Sequence, residues 1–183
     1  HDIYAQAGGK LEAPGAEYWL GTDEFGRDIL SRTMHGARIS IFVAVFSTLI
    51  GLLVGTSLGS LAGYARGRTD EVIMRAFDVI LAFPGTVMAI FLASILGPNL
   101  RNATIAIGVV YTPSFARVAR GQVLTVSEND YVEAANALGN PAWRVLLLHV
   151  LPNAAAPIIV QATINFANAI VVEAALSFLG LGA

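Results

Sequence analysis

The chain has 183 residues, of which 55% are hydrophobic and 13% charged, against about 25% charged in soluble domains. That deficit and a mean hydropathy of +0.65 point to a membrane protein rather than a soluble domain. The net charge of −2 gives no basis for binding nucleic acid, and without cysteine there are no disulfides or thiolate metal sites.

The chain opens His1-Asp2-Ile3, with neither an initiator methionine nor a signal peptide, and closes Leu179-Gly180-Leu181-Gly182-Ala183 without a polar tail. Both ends read as cuts in a longer protein. Residues 1–38 form the first segment. Within it, Gly21-Thr22-Asp23-Glu24-Phe25-Gly26-Arg27-Asp28 leads into an amphipathic stretch. Ile29, Leu30, Thr33, Met34 and Ala37 share one face, and Arg27, Asp28, Ser31 and Arg32 share the other. Asp23 is the expected helix cap. The stretch reads either as a helix lying on the membrane interface, anchored by Tyr18 and Trp19, or as a solvated lead-in with local ion pairs.

Four membrane spans are expected, each needing about 20 mostly apolar residues: 39–64, 77–97, 102–120 and 145–172. The third is shortest in uncharged residues and reaches Arg120 only if Arg117 and Arg120 extend toward the headgroups. Loop 65–76 carries Arg66, Arg68 and Arg75, and loop 117–144 carries Arg117, Arg120 and Arg144. The excess of positive charge places both loops in the cytoplasm and residues 1–38 outside. Lys10, Arg27, Arg32 and Arg38 in that outer segment count against the assignment, but they are spread along it. No carboxylate is expected deep in a span, with Asp78 and Glu173 read as lying at span ends. That argues against a proton-driven carrier.

The first span carries Gly51, Gly55, Gly59 and Gly63, spaced by four, which align into one ridge on a helix. Such a ridge serves either static close packing or a smooth track along which helices shift. Pro84, Pro113, Pro152 and Pro157 each remove a backbone donor and can kink a span.

Between the third and fourth spans lies 121–144, with its own helical signals. Tyr131, Ala135, Leu138 and Ala142 fall in one arc, and Glu133, Asn136 and Asn140 fall opposite. Asn129 or Asp130 can cap the start. Gly139 suits the left-handed residue that ends a helix. Asn140 is then expected to cap the next helix, with Pro141 at its first position. A helix this short is marginal alone and needs lipid or a partner protein against its apolar face.

Glu133-Ala134-Ala135, three residues, Gly139, nine residues, then His149-Val150-Leu151-Pro152 resembles the EAA loop of ABC importer permeases. His149 stands where that family often has isoleucine. Leu20-Gly21-Thr22-Asp23, Gly26-Arg27-Asp28, Ala82-Phe83-Pro84, Ala116-Arg117 with Arg120-Gly121, and Leu176-Ser177-Phe178-Leu179-Gly180-Leu181-Gly182 resemble the dipeptide, oligopeptide and nickel branch.

The resemblance implies an all-α, polytopic transmembrane helix bundle with an in-plane cytoplasmic coupling helix, and one further span beyond each end. It implies a non-catalytic transport subunit in a bacterial or archaeal plasma membrane, without a cofactor. The implied partners are two ATP-binding subunits, a homologous permease, an external solute-binding protein and the lipid bilayer, with no nucleic acid. Tyr131, Ala135 and Leu138 would supply the contact with an ATPase, Ala134 and Ala135 would let the helix sit deep, and Glu133 would fix register. Gly139 would allow the tight exit, and Pro141 would stiffen the return. No Gly-x-x-x-x-Gly-Lys-Ser/Thr phosphate cradle is present. The reading from a different class is an ion-coupled carrier or channel with an amphipathic surface helix.

Overall fold

The computed structural model describes residues 8–182, so the chain ends on which the reading of a truncated protein rests, including His1 and Ala183, lie outside the described residues. The architecture is all-α. The elements are α1 (Ile29–Ala65), α2 (Gly67–Leu81), α3 (Gly85–Leu96), α4 (Leu100–Ser127), α5 (Asp130–Ala137), α6 (Ala142–Val145), a π-helical turn (Leu146–Val150) and α7 (Leu151–Phe178). An isolated bridge between Thr22 and Asp28 is the extent of β pairing among the described residues. The chain forms two compact units, divided between Phe42 and Val43.

In the N-terminal unit, tight turns precede α1. Gly21 and Gly26 take positive φ, and a side chain at Gly26 would run into the Gly8 carbonyl. The Thr22 hydroxyl donates to the Gly9 carbonyl at 2.5 Å and accepts from the Glu12 N–H at 2.9 Å. Asp23 does not cap α1. It accepts from the Phe25 and Arg27 N–H groups and pairs with the Arg27 and Arg32 guanidinium groups at 2.8 and 2.6 Å. Desolvation pushes its pKa up, but the N–H groups of Arg27 and Phe25 and the Arg27 side chain outweigh it and hold the carboxyl at about 2. Asp28 takes the capping position instead, accepting from the Leu30 N–H at 3.1 Å and the Ser31 hydroxyl at 2.6 Å. Tyr18 is buried rather than set out as an interface anchor, whereas Trp19 is exposed. The expected separation of a lead-in helix from a span at 39–64 is not seen, because α1 runs unbroken from Ile29 to Ala65.

In the second unit, α1 ends at a reversal where Arg66 and Gly67 both take positive φ, a conformation that costs Arg66, a non-glycine residue, some strain. The segment expected as one span at 77–97 is broken. Pro84 disfavours helical geometry at Phe83, and α2 and α3 meet at 89°. Pro113 and Pro157, by contrast, sit inside continuous helices. Gly97, at φ 91°, turns the chain into α4, whose first turn is capped by the Asn99 side chain accepting from the Arg101 N–H at 2.9 Å. Helix α4 runs seven residues past Arg120 to Ser127. Among the described residues, two stretches are long and apolar enough to cross a membrane, Ile29–Ala65 and Ala142–Phe178, and the bent α2–α3 pair passes the same test if taken as one span. Glu173 stands five residues before the end of α7 at Phe178. It is 4% exposed.

The glycine ridge is the seat of α4. A methyl group at Gly59 would fall on the Ala116 carbonyl and 2.7 Å from its Cα. One at Gly55 would fall on the Thr112 carbonyl, and one at Gly63 would lie 2.8 Å from the Arg120 carbonyl. Gly108 of α4 reciprocates, since a methyl group there would lie 2.8 Å from the Ile50 Cβ. Backbones approach this closely because α1 carries no Cβ at these positions. Away from the seam, apolar side chains such as Leu53, Phe91, Ile95, Ile159 and Val171 stand exposed, as a lipid-facing surface requires.

Candidate functional site: a braced surface helix and an ionic contact

Helix α5 has only eight residues, too few to hold its shape unaided. Its inner face explains how it persists. Val132 and Ala135, one turn apart, are buried in a cluster with Val123 and Val126 of α4, Val145 and Val150 of the return, and Ala154 of α7. Burying a valine contributes about 1.5–3 kcal/mol. The chain covers the Val132 and Ala135 face itself, while Tyr131 and Leu138 of the expected apolar arc stay uncovered. Ala135, expected in the partner contact, belongs to that internal cluster.

Polar contacts tie down both ends. The Tyr64 hydroxyl of α1 donates to Asn136 at 3.3 Å, and the Tyr131 hydroxyl reaches the His149 carbonyl at 3.5 Å. Asn129 precedes the first turn in extended geometry, but its side chain donates back to the Val126 carbonyl at 2.9 Å instead of capping α5. Asp130 and Glu133 place negative charge at the helix start, where the helix dipole favours it.

The exit departs from expectation at one residue. Gly139 takes φ 78°, as its place after the helix requires. Asn140 does not cap α6. Its side chain donates to the Ala135 carbonyl at 2.8 Å, satisfying a helix end that would otherwise lack a donor. Pro141 then occupies the capping position in extended geometry, and its carbonyl accepts from the Arg144 N–H at 2.9 Å. The return into α7 passes through a π turn in which the Leu151 N–H bonds to the Leu146 carbonyl.

What remains outside is a small apolar patch. Tyr131 is 45% exposed, Leu138 is 83% exposed, and Ala134 and Ala137 are exposed between them. Glu133 and Gly139 are exposed at its edge. Val132 and Asn140 are the site residues that the arc of Tyr131, Ala135 and Leu138 missed. The spacing of Val132 with Ala135 was a visible signal, whereas the backward bond of Asn140 had none.

A second constellation joins α2 to α4. The Arg120 guanidinium grips the Asp70 carboxylate through both oxygens, one of the two bonds measuring 2.5 Å. Arg117 pairs with Asp78 at 2.7 Å. Hydrogen bonding from Arg120 lowers the Asp70 pKa, with desolvation opposing. The two pairs flank an open cavity of about 670 Å³, also lined by Glu71, Met74 and Arg75.

Residues 55–183 match the family described as binding-protein-dependent transport system inner membrane component. The chain is 49% identical over 174 residues to the dipeptide transport system permease protein DppC of Alkalihalophilus pseudofirmus, covering 95% of this chain and 57% of the relative. It is 46% identical over 172 residues to the di/tripeptide transport system permease protein DppC of Pseudomonas aeruginosa, and 42% over 172 to the glutathione transport system permease protein GsiD of Pectobacterium atrosepticum. In both cases 94% of this chain and 57% of the relative are covered. The chain thus spans little more than half the length of these relatives. By the family match and by these identities, the chain belongs to the binding-protein-dependent transport system inner membrane component family, the permeases of ABC transporters.

Proposed function

We propose that this chain is part of the permease subunit of an ATP-driven importer in a bacterial or archaeal plasma membrane. It forms half of a pathway for small peptides or related solutes such as nickel complexes. The printed names of the relatives, dipeptide, di/tripeptide and glutathione permeases, favour peptides within that class. Its partners in this reading are a homologous permease, two ATP-binding subunits and an external solute-binding protein.

The observation that carries the reading is the two-sided character of α5. Its inner face is locked to α4 and α7 by Val132 and Ala135, while Tyr131, Ala134 and Leu138 stand out in solvent. An ATPase groove fits this patch. Movement of the ATPase against α5 then passes into α4 and α7, switching access from one side of the membrane to the other as packed bodies tilt.

The test is Leu138→Glu in the assembled complex. It is expected to abolish co-purification of the ATP-binding subunits without changing membrane insertion, because the side chain makes little internal contact. Retained co-purification and uptake would exclude the docking role. Gly139→Pro attacks the same unit from the backbone, since proline cannot adopt φ 78°. Uptake and substrate-stimulated ATP hydrolysis are expected to fall together while insertion persists.

The carrier reading has one observation in its favour, the burial of Glu173 within α7. Uptake that persists without ATP and responds to a proton gradient would support it.

A further inference from the structure

Helix α7 is apolar along most of its length, yet it carries Gln161, Asn165 and Asn168 at spacings of four and three. At about 100° per residue these fall within one narrow stripe. Ile159, two residues from Gln161, points to the opposite side and is exposed. An amide group facing hydrocarbon costs free energy unless it finds a partner, so a row of three on one face calls for an explanation.

Only the middle of the row is spent on helix packing. Asn165 is 4% exposed, accepts from the Gln161 amide at 3.0 Å and donates to the Ser114 hydroxyl of α4 at 3.1 Å. On either side of that contact the structure opens. Gln161 lines a cavity of about 700 Å³ with Arg117, Gln122 and Pro157. Asn168 lines a second cavity, of about 310 Å³, with Thr86, Tyr111 and Val172. The hydroxyl of Tyr111, on that second cavity's wall, is buried and has no hydrogen-bond partner. An open hollow therefore lies beside each end of the amide row, with the Asn165–Ser114 contact between them in sequence.

We infer that the row Gln161, Asn165 and Asn168 lines the solute path and makes passing hydrogen bonds to the backbone amides of a small peptide. The class of ligand rests on the import reading above. A neutral side-chain amide both donates and accepts, which matches a peptide N–H and C=O whatever side chains the peptide bears. It also lacks the net charge that would trap a zwitterion, and conduction demands binding weak enough to release. In this path the bond between Asn165 and Ser114 is the constriction.

Residues 1–183 contain no cysteine, and any cysteine elsewhere in the permease or its partners is first replaced by serine, so that single cysteines report their own surroundings. The full-length permease, assembled with its partners in proteoliposomes, carries Gln161→Cys, Asn168→Cys or Ile159→Cys and is treated with a membrane-impermeant methanethiosulfonate. Cysteine at 161 and 168 is expected to react at least about tenfold faster than at 159, and dialanine with ATP and the binding protein is expected to slow the reaction. Equal rates at all three positions overturn the inference.

A second measurement isolates the amide chemistry. Asn168→Leu is expected to cut dialanine uptake about tenfold, the worth of one hydrogen bond. Uptake of the ester analogue, which lacks the peptide N–H, is expected to fall less. An equal loss for both overturns peptide-backbone recognition. If the unmodified complex shows no ATP-dependent dialanine uptake, the import reading fails, and the labelling pattern still decides whether the stripe lines an aqueous path.

Discussion

The two sides of α4 are held by opposite physics. Toward α1, Gly55, Gly59 and Gly63 bring backbone against backbone with no room for a methyl group. Toward α2, Arg117 and Arg120 reach across an open cavity to Asp78 and Asp70. Dispersion contacts in a close-packed seam fall away steeply with separation, so the first side resists sliding and separation alike. Ion pairs between long side chains tolerate shifts of register and, near water, are individually weak. The same helix is thus fixed to α1 and adjustable against α2. Of the two uses open to the glycine ridge, this geometry favours static packing.

The largest expected effect comes from filling the seam. Gly59→Leu drives a side chain into the Ala116 backbone, and loss of the folded complex is expected. Gly59→Ala should cost about 1–3 kcal/mol by overpacking, measured as a drop in thermal stability of the solubilised complex. Gly121→Ala, on α4 with nothing within 4 Å, is the control and should be neutral or stabilising by up to about 1 kcal/mol, because alanine is the better helix former. A gain at Gly59 equal to that at Gly121 would show that helix propensity, not the seam, sets stability.

A smaller effect is expected on the ionic side. Arg120→Ala leaves Asp70 without its bidentate partner and should cost on the order of 1 kcal/mol, given the partial exposure of the pair. Asp70→Asn added to it should recover part of the loss, because no charge is then left unpaired. A loss as large as that of Gly59→Leu would erase the distinction between the two sides.

The smallest effect is in pH. Hydrogen bonding from Arg120 lowers the Asp70 pKa below its ordinary value of 3.8. Its contribution is therefore complete above that value and is lost as pH falls through the lower, folded value. Stability should not change through this pair between pH 7 and 5, and hydrogen exchange in α2 should rise only in stronger acid. An earlier rise would mean that the α2–α4 contact depends on other groups.

The parts legible in the sequence were those set by local chemistry. The extent of α5, the positive φ of Gly139 and the alignment of the glycines all follow from spacing or from what one residue permits. Pro84 signalled a kink, but its 89° magnitude depends on what α2 and α3 pack against. Ala135 was misjudged because a helical wheel shows which residues share a face and not which face the rest of the chain covers. Asp28, not Asp23, is the cap because it immediately precedes α1, whereas Asp23 lies five residues earlier and is engaged by two arginines. The pairing of Asp70 with Arg120, fifty positions apart, leaves no local trace. The amide stripe was visible at its spacing of four and three, but only the cavities beside it separate a path from helix packing.

The bracing of α5 has a mechanical consequence. Val132 and Ala135 share one cluster with the far end of α4 and the start of α7, so a push on α5 acts on the tips of two long rods. Helix α4 has 28 residues and is about 42 Å long, so a tilt of about 5° at one tip swings the other by nearly 4 Å. A displacement of that size is comparable to the width of a peptide backbone. In the proposed coupling, the short helix is the handle of a lever, and the glycine seam carries α1 with the arm it turns.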